Sequence, residues 1–338
     1  MRNRKIAACA MNSSAPMDDQ VAEAAPAEEQ RRNIILCCDG TANEFRRDNT
    51  NVVRLYQVLE RSPSRQVACY HPGVGTMEAV GALTVTARKV TKLLGMAIGY
   101  GLESDLRDLY VFLMRHHRPG DRLFMFGFSR GAYTVRALVG LLRYHGLMEP
   151  GNEPLVPYAI RSLMAVNREA RKSAEARRDA FATAAAFKAT FGTRACKPHF
   201  GGVWDTVSSV GWISNPLRVP GTANCPDVAI GRHALALDER RAFFRTNLWR
   251  PEPNGGGPRD LKQVWFAGVH SDVGGGYFPA EGDLWKFSLG WMLREAEIAG
   301  LRVDAERKAA LKLGEADPNA PRHESLSGAW RLAEFIPK

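Results

Sequence analysis

Leu123-Phe124-Met125-Phe126 is a short apolar run that enters Gly127-Phe128-Ser129-Arg130-Gly131 without a spacer and leaves it into an amphipathic stretch reaching Tyr144. A buried strand, an apex and a helix in immediate succession force a reversal so sharp that side chains flanking the apex would collide with the strand and the helix. Gly127 and Gly131 meet that demand. The same reversal lifts the Ser129 hydroxyl clear of the sheet and aims the helix N-terminus at it. A chain built around such a turn is restricted to parallel strands covered by helices, with its chemistry at the carboxyl ends of the strands.

The rest of the chain keeps this rhythm. Runs at Asn33–Cys38, Gln66–Tyr70, His199–Trp204 and Gln263–Val269 have the length and composition of buried parallel strands. Amphipathic stretches at Asn51–Arg61, Leu102–His116, Arg130–Tyr144 and Leu284–Ala299 have helical length. The expected fold class is α/β, of the α/β-hydrolase type, a mostly parallel sheet with helices on both faces, occupying residues 31–338. Residues 1–30, rich in Ala, Ser, Glu, Asp and Pro without periodicity, are expected to be a flexible tail. From about 150 to 197 the alternation lapses: no strand-like run occurs, and residues 161–197 carry nine Lys or Arg against three acids. This segment reads as a basic helical insertion, a cap between two strands.

A formal net charge of +10 favours encounter with anionic partners. No basic segment is interleaved with aromatics in the manner of single-strand binders, so nucleic acid is not expected, whereas peripheral contact with an anionic membrane is. The six cysteines are scattered, with no C-x-x-C pair and no zinc-site spacing, which points to a reducing compartment and no metal. Arg2, Arg4 and Lys5 precede only six apolar residues, Ile6 to Met11, short of a secretory signal. The best membrane-span candidate, Leu83 to Leu102, is interrupted by Arg88, Lys89 and Lys92. The expected location is the cytoplasm, with export by a signal-less secretion system left open.

A serine hydroxyl is a weak nucleophile until a base takes its proton, so a histidine held by a carboxylate must stand elsewhere. In chain order Ser, acid, His, the sequence offers both. Asp205 follows the run ending in Val203-Trp204, and His270 follows the run ending in Gly268-Val269 and precedes Gly274-Gly275-Gly276. His71 and His323 are the rivals for the base. Asp272 is the rival for the acid, and its proximity to His270 also suits a residue that braces the glycine loop. An oxyanion hole needs two preorganised N–H donors. One is expected from Arg130, directly after the nucleophile, and the other from Gly40 or Thr41 in the turn Asp39-Gly40-Thr41, which Asp39 would anchor, or from the loop His71 to Thr76.

Several motifs together resemble a known family: I-I-L-C-C-D-G-T, G-F-S-R-G-A-Y-T-V-R, V-W-D-T-V, A-L-D-E-R-R and V-H-S-D-V-G-G-G-Y. They are similar to an α/β-hydrolase domain that also forms the catalytic part of type VI secretion phospholipase effectors, over roughly residues 33 to 338. The resemblance implies hydrolysis of a carboxylic ester, with phospholipid acyl esters among the expected substrates, by Ser129, Asp205 and His270 and without a cofactor. The chain is shorter than the large effectors, and the membrane-anchoring or adaptor modules they often carry are not expected in it.

Other readings fare less well. A haloacid-dehalogenase-type phosphatase would need an aspartate two residues before Asp39, where Cys37 stands. A dinucleotide fingerprint at Gly73-Val74-Gly75 would need its third glycine at Glu78. A metal-dependent phosphoesterase could draw on Asp39, Asp205, His270 and Asp272, and a catalytically silent binding module is the reading from another class.

Overall fold

The computed structural model describes residues 31–40, 49–73, 100–170, 172–207, 211–212, 215–216, 219–250, 256–327 and 331. The expected tail at 1–30 and Thr41 lie outside the described residues. The chain runs β1 (Asn33–Cys38), α1 (Asn51–Val58), β2 (Gln66–His71), α2 (Tyr100–His116), β3 (Arg122–Phe128), α3 (Arg130–His145), α4 (Val156–Ala170), α5 (Ala174–Phe191), β4 (Pro198–Trp204), β5 (Ile230–Ala236), β6 (Asp260–Phe266), α6 (His270–Gly274), α7 (Trp285–Ile298) and α8 (Ala305–Ala310). Short 3-10 turns link several of these.

These six strands form one sheet in the order β2-β1-β3-β4-β5-β6, every neighbouring pair parallel, and Gly211–Trp212 pairs antiparallel with Asn215–Pro216 in a separate two-stranded ribbon. Side chains alternate between its two faces. Ile34, Leu36, Leu123, Met125 and Val203 share a core with α2 and α3 on one face, while Ile35, Cys37, Phe124, Phe126, Phe200 and Trp204 meet α1 and α7 on the other. Both faces being covered, the inner strands read as unbroken apolar runs rather than alternating ones. The order reverses between β1 and β3, and such a switch point opens a crevice at the carboxyl ends of the strands.

One strand escapes that reading. β5, Ile-Gly-Arg-His-Ala-Leu-Ala, sits between β4 and β6, so Asp205 does not end the strand immediately before the histidine strand, as expected, but the one before that. Arg232 and His233 break its apolar run yet are buried and paired. Arg232 donates to Glu295 (2.6 Å) and Asp260 (2.6 Å), and His233 lies 3.3 Å from Gln263 Oε1 and accepts from the Thr206 N–H at 3.3 Å. β6 also ends three residues earlier than expected, at Phe266, because Gly268 turns the chain at φ 107° before α6 begins.

The insertion is helical, α4 and α5. α4 buries Val156, Ala159, Ile160 and Leu163 against Leu106, Leu109, Tyr110 and Leu113 of α2. On α5, Phe181 meets Tyr144 at 5.3 Å, Phe187 meets His145 at 5.5 Å, and Lys188 donates to the Arg143 carbonyl at 2.8 Å. These contacts gather at the C-terminal turn of α3, about 20 Å along the helix from Ser129 at 1.5 Å per residue. The insertion is thus anchored as an outer layer beside the helices rather than over the strand ends.

Candidate active site

Ser129 stands at the apex between β3 and α3 with φ 58° and ψ −119°, in a region non-glycine residues seldom occupy. A Cβ at Gly127 would lie 2.6 Å from the Gly131 carbonyl oxygen, and one at Gly131 would press into the carbonyl oxygen of Cys38 at the end of β1. Both glycines are therefore sterically required. The Ser129 N–H donates to the Trp204 carbonyl at 3.1 Å, which ties the apex to the end of β4.

Asp205 follows Trp204, and it too has a positive φ, 33°. Among described non-glycine residues only Ser129, Asp205, Cys225 and Lys312 do, so two of the four strained backbones belong to this site. The buried Asp205 carboxylate is held at both oxygens: Oδ1 accepts from the Ala236 N–H at 3.2 Å, at the end of β5, and Oδ2 lies 2.6 Å from His270 Nδ1. Beside a carboxylate oxygen that nitrogen carries the proton, which leaves Nε2 as the acceptor of the neutral ring. β5 therefore acts as a spacer that props the acid toward a histidine two strands away.

His270 opens the short helix α6 and is buried. Its ring packs against Phe128, the residue before Ser129, at 4.5 Å between centroids, and meets Phe244 edge-on at 4.8 Å. A Cβ at Gly274 would enter the Phe128 ring, so α6 is pressed onto the elbow. The His270 N–H donates to Glu239 Oε2 at 3.2 Å. Sequence reasoning gave Glu239, Arg241 and Phe244 no role; the A-L-D-E-R-R motif was the available signal, masked because the strand it follows was not recognised.

The rival groups are engaged elsewhere. Asp272 Oδ1 lies 2.6 Å from His323 Nδ1, and its Oδ2 accepts the N–H groups of Val269 (2.9 Å) and His323 (3.1 Å). It caps α6 and binds the C-terminal segment, rather than bracing Gly274–Gly276. His323 stacks on Tyr277 at 3.6 Å. His71 ends β2 beside Asp105 (3.8 Å) and Asp108 (3.7 Å). Asp39 anchors its turn as expected, accepting from Thr50 Oγ1 (2.5 Å), Tyr70 Oη (2.9 Å) and the Gly40 N–H (2.7 Å). The Gly40 N–H is directed at Asp39, and Thr41 lies outside the described residues. Arg130 occupies the first position of α3, where backbone N–H groups point off the helix end, and burial lowers its guanidinium pKa to about 10 against the opposing charge of Asp105. No group of three or more His, Cys, Asp or Glu that could hold a metal is assembled among the described residues.

The family model for the type VI secretion system "Phospholipase effector Tle1-like, catalytic domain" matches residues 32–295. The uncharacterized protein YEL023C of Saccharomyces cerevisiae is 35% identical over 230 residues, 66% of this chain and 33% of that protein. An uncharacterized protein from Pseudomonas aeruginosa, 19% identical, superposes with a TM-score of 0.49 over 85% of this chain and 49% of the other. The Tle1 effector bound to the VgrG spike of a type 6 secretion system, 20% identical, gives a TM-score of 0.36 over 81% of this chain and 57% of the other. The chain thus spans about a third of the curated relative and about half of each solved structure.

Proposed function

The chain belongs to the family of Tle1-like phospholipase effector catalytic domains, and from that premise we propose that it is a serine esterase that cleaves carboxylic esters, phospholipid acyl esters among them, through Ser129, His270 and Asp205. The observation that carries the reading is the 2.6 Å contact of His270 Nδ1 with Asp205, buried against the strained elbow that presents Ser129. Asp205 fixes the tautomer whose Nε2 accepts the Ser129 proton as the serine oxygen attacks the acyl carbonyl. The oxyanion is received by the Arg130 N–H and by a second backbone N–H from the turn Asp39-Gly40-Thr41 or the loop His71 to Thr76. On collapse the ester C–O bond breaks, the leaving alkoxide takes the proton from His270, and an acyl-serine remains. Water, deprotonated by the same histidine, hydrolyses it and restores Ser129.

The test is labelling with a fluorophosphonate probe and turnover of p-nitrophenyl esters and of phospholipid. Ser129→Ala is expected to lose both labelling and hydrolysis while keeping its circular dichroism spectrum. Labelling at another serine, or undiminished turnover in the variant, overturns the reading.

A further inference from the structure

His270 is gripped from outside the Ser129–His270–Asp205 set by a salt bridge between two neighbouring residues. Glu239 lies just past the end of β5 with its side chain 3% exposed, and Arg241 beside it is 11% exposed. Glu239 Oε1 accepts from the Arg241 N–H (2.8 Å), Arg241 Nε (2.9 Å) and Ser325 Oγ (2.9 Å). Its Oε2 accepts from Arg241 Nη2 (2.8 Å) and from the His270 N–H (3.2 Å). The Arg241 guanidinium lies 3.7 Å over the Phe244 ring, and Phe244 in turn packs on the His270 imidazole. One ion pair therefore holds both the backbone and the ring of the same histidine.

We propose that Glu239 and Arg241 are positioning residues for His270, locking its orientation toward Ser129 while their opposite charges cancel at the imidazole, so that Asp205 remains the one carboxylate whose charge the ring meets unbalanced. This rests on the reading of His270 as the general base. Burial pushes the Glu239 carboxyl up, but the hydrogen bonds and charge of Arg241, with Ser325, bring it down to about 2, so the pair stays ionised well into the acid range. Among the described residues, the charged groups next to this set are engaged as follows. Asp205 at the end of β4 faces the ring directly; Asp272 on α6 is turned to His323 of the C-terminal segment; and Asp238 accepts from the Gly268 N–H and from Arg322. Arg240 pairs with Glu324 at the surface.

The charge balance gives a test that a merely structural role would not pass. Glu239→Gln keeps an oxygen for the His270 N–H but leaves the Arg241 cation unbalanced, which disfavours the imidazolium. The acid limb of the kcat/KM profile should move down by about half to one pH unit. Arg241→Gln leaves Glu239 unbalanced and favours the imidazolium, and the limb should move up by a similar amount. In the double variant the limb should return to its wild-type position, while kcat stays about tenfold low and KM is little changed. The variants are compared on a soluble ester, with near-ultraviolet circular dichroism to establish folding, and either single variant alone tests the sign. Limbs that stay in place, or that move in the same direction in both single variants, overturn the proposal. Failure of the underlying reading would look different, because Ser129→Ala and His270→Ala would then retain turnover.

Discussion

Asp205, past the end of β4, and Asp272, in the first turn of α6, are buried carboxylates, and each is committed to a different histidine: Asp205 to His270, Asp272 to His323. If Asp205 serves the base, Asp205→Asn loses the acceptor that selects the tautomer and should cost about four orders of magnitude in kcat with little loss of stability. Asp272→Asn weakens an N-terminal cap and the tie to His323, so it should cost roughly 1 kcal/mol of stability and leave turnover within a few-fold of wild type. Thermal melts and p-nitrophenyl ester kinetics on both variants decide the matter, and the reverse pattern would exchange their roles. The sequence offered both acids for His270 and preferred Asp205 for its place in the chain order, with Asp272 as the rival. The partner of Asp272 lies 51 residues further on, beyond α7 and α8, and only folding brings it back to α6. Asp205, by contrast, was readable from its place past a strand, although the number of intervening strands was not.

At the scale of elements, legibility follows steric necessity. The elbow was readable because only glycine fits at 127 and 131, and Gly131→Ala should therefore prevent correct packing of α3 on β1, seen as loss of soluble, probe-reactive protein. The inner strands were readable because helices cover both faces of the sheet. β5 was not, since its buried Arg232 and His233 look like a loop until Glu295, Asp260, Thr206 and Gln263 are brought to them by folding. The basic insertion was readable as helix, but its anchorage on the far end of α3 was not. α5 buries little beyond Ala184 and Phe187, and it exposes Arg177 and Arg178 next to the exposed Lys172 that precedes it. With each such cation contributing up to about 1 kcal/mol near an anionic bilayer, replacing all three by Glu should weaken binding to acidic vesicles at least tenfold at low salt. Because α5 is anchored away from Ser129, hydrolysis of a soluble ester should be unchanged. Equal binding of wild type and variant would leave this helix as a solvated face.

For the whole molecule, the response to acid is written in two histidines buried as neutral rings. Burial, with the nearby Lys188 charge, lowers His145 to about 4, and burial with Arg136 lowers His233 to about 3. An unfolded chain takes up these protons near pH 6.5, whereas the folded one resists until pH 4 or 3, so the unfolded state binds more protons throughout that window. Stability is then full above about pH 6.5 and falls as the pH drops toward 4, with Glu239 adding its own loss from about pH 4.5 down to about 2. His145 is the residue on which to test this, because neither of its ring nitrogens meets a hydrogen-bond partner among the described residues. His233 is not, since its removal would orphan the Thr206 N–H next to Asp205. His145→Leu should leave the melting temperature at pH 7 equal or higher, because an apolar side chain replaces unpaired polar atoms in an apolar site. At pH 4 the variant should be the more stable protein by up to about 3 kcal/mol, the difference being the protonation the wild-type ring cannot accept while folded. Thermal melts at half-unit steps from pH 7 to 4 measure both values, and parallel curves for the two proteins would show that His145 takes no part in acid unfolding.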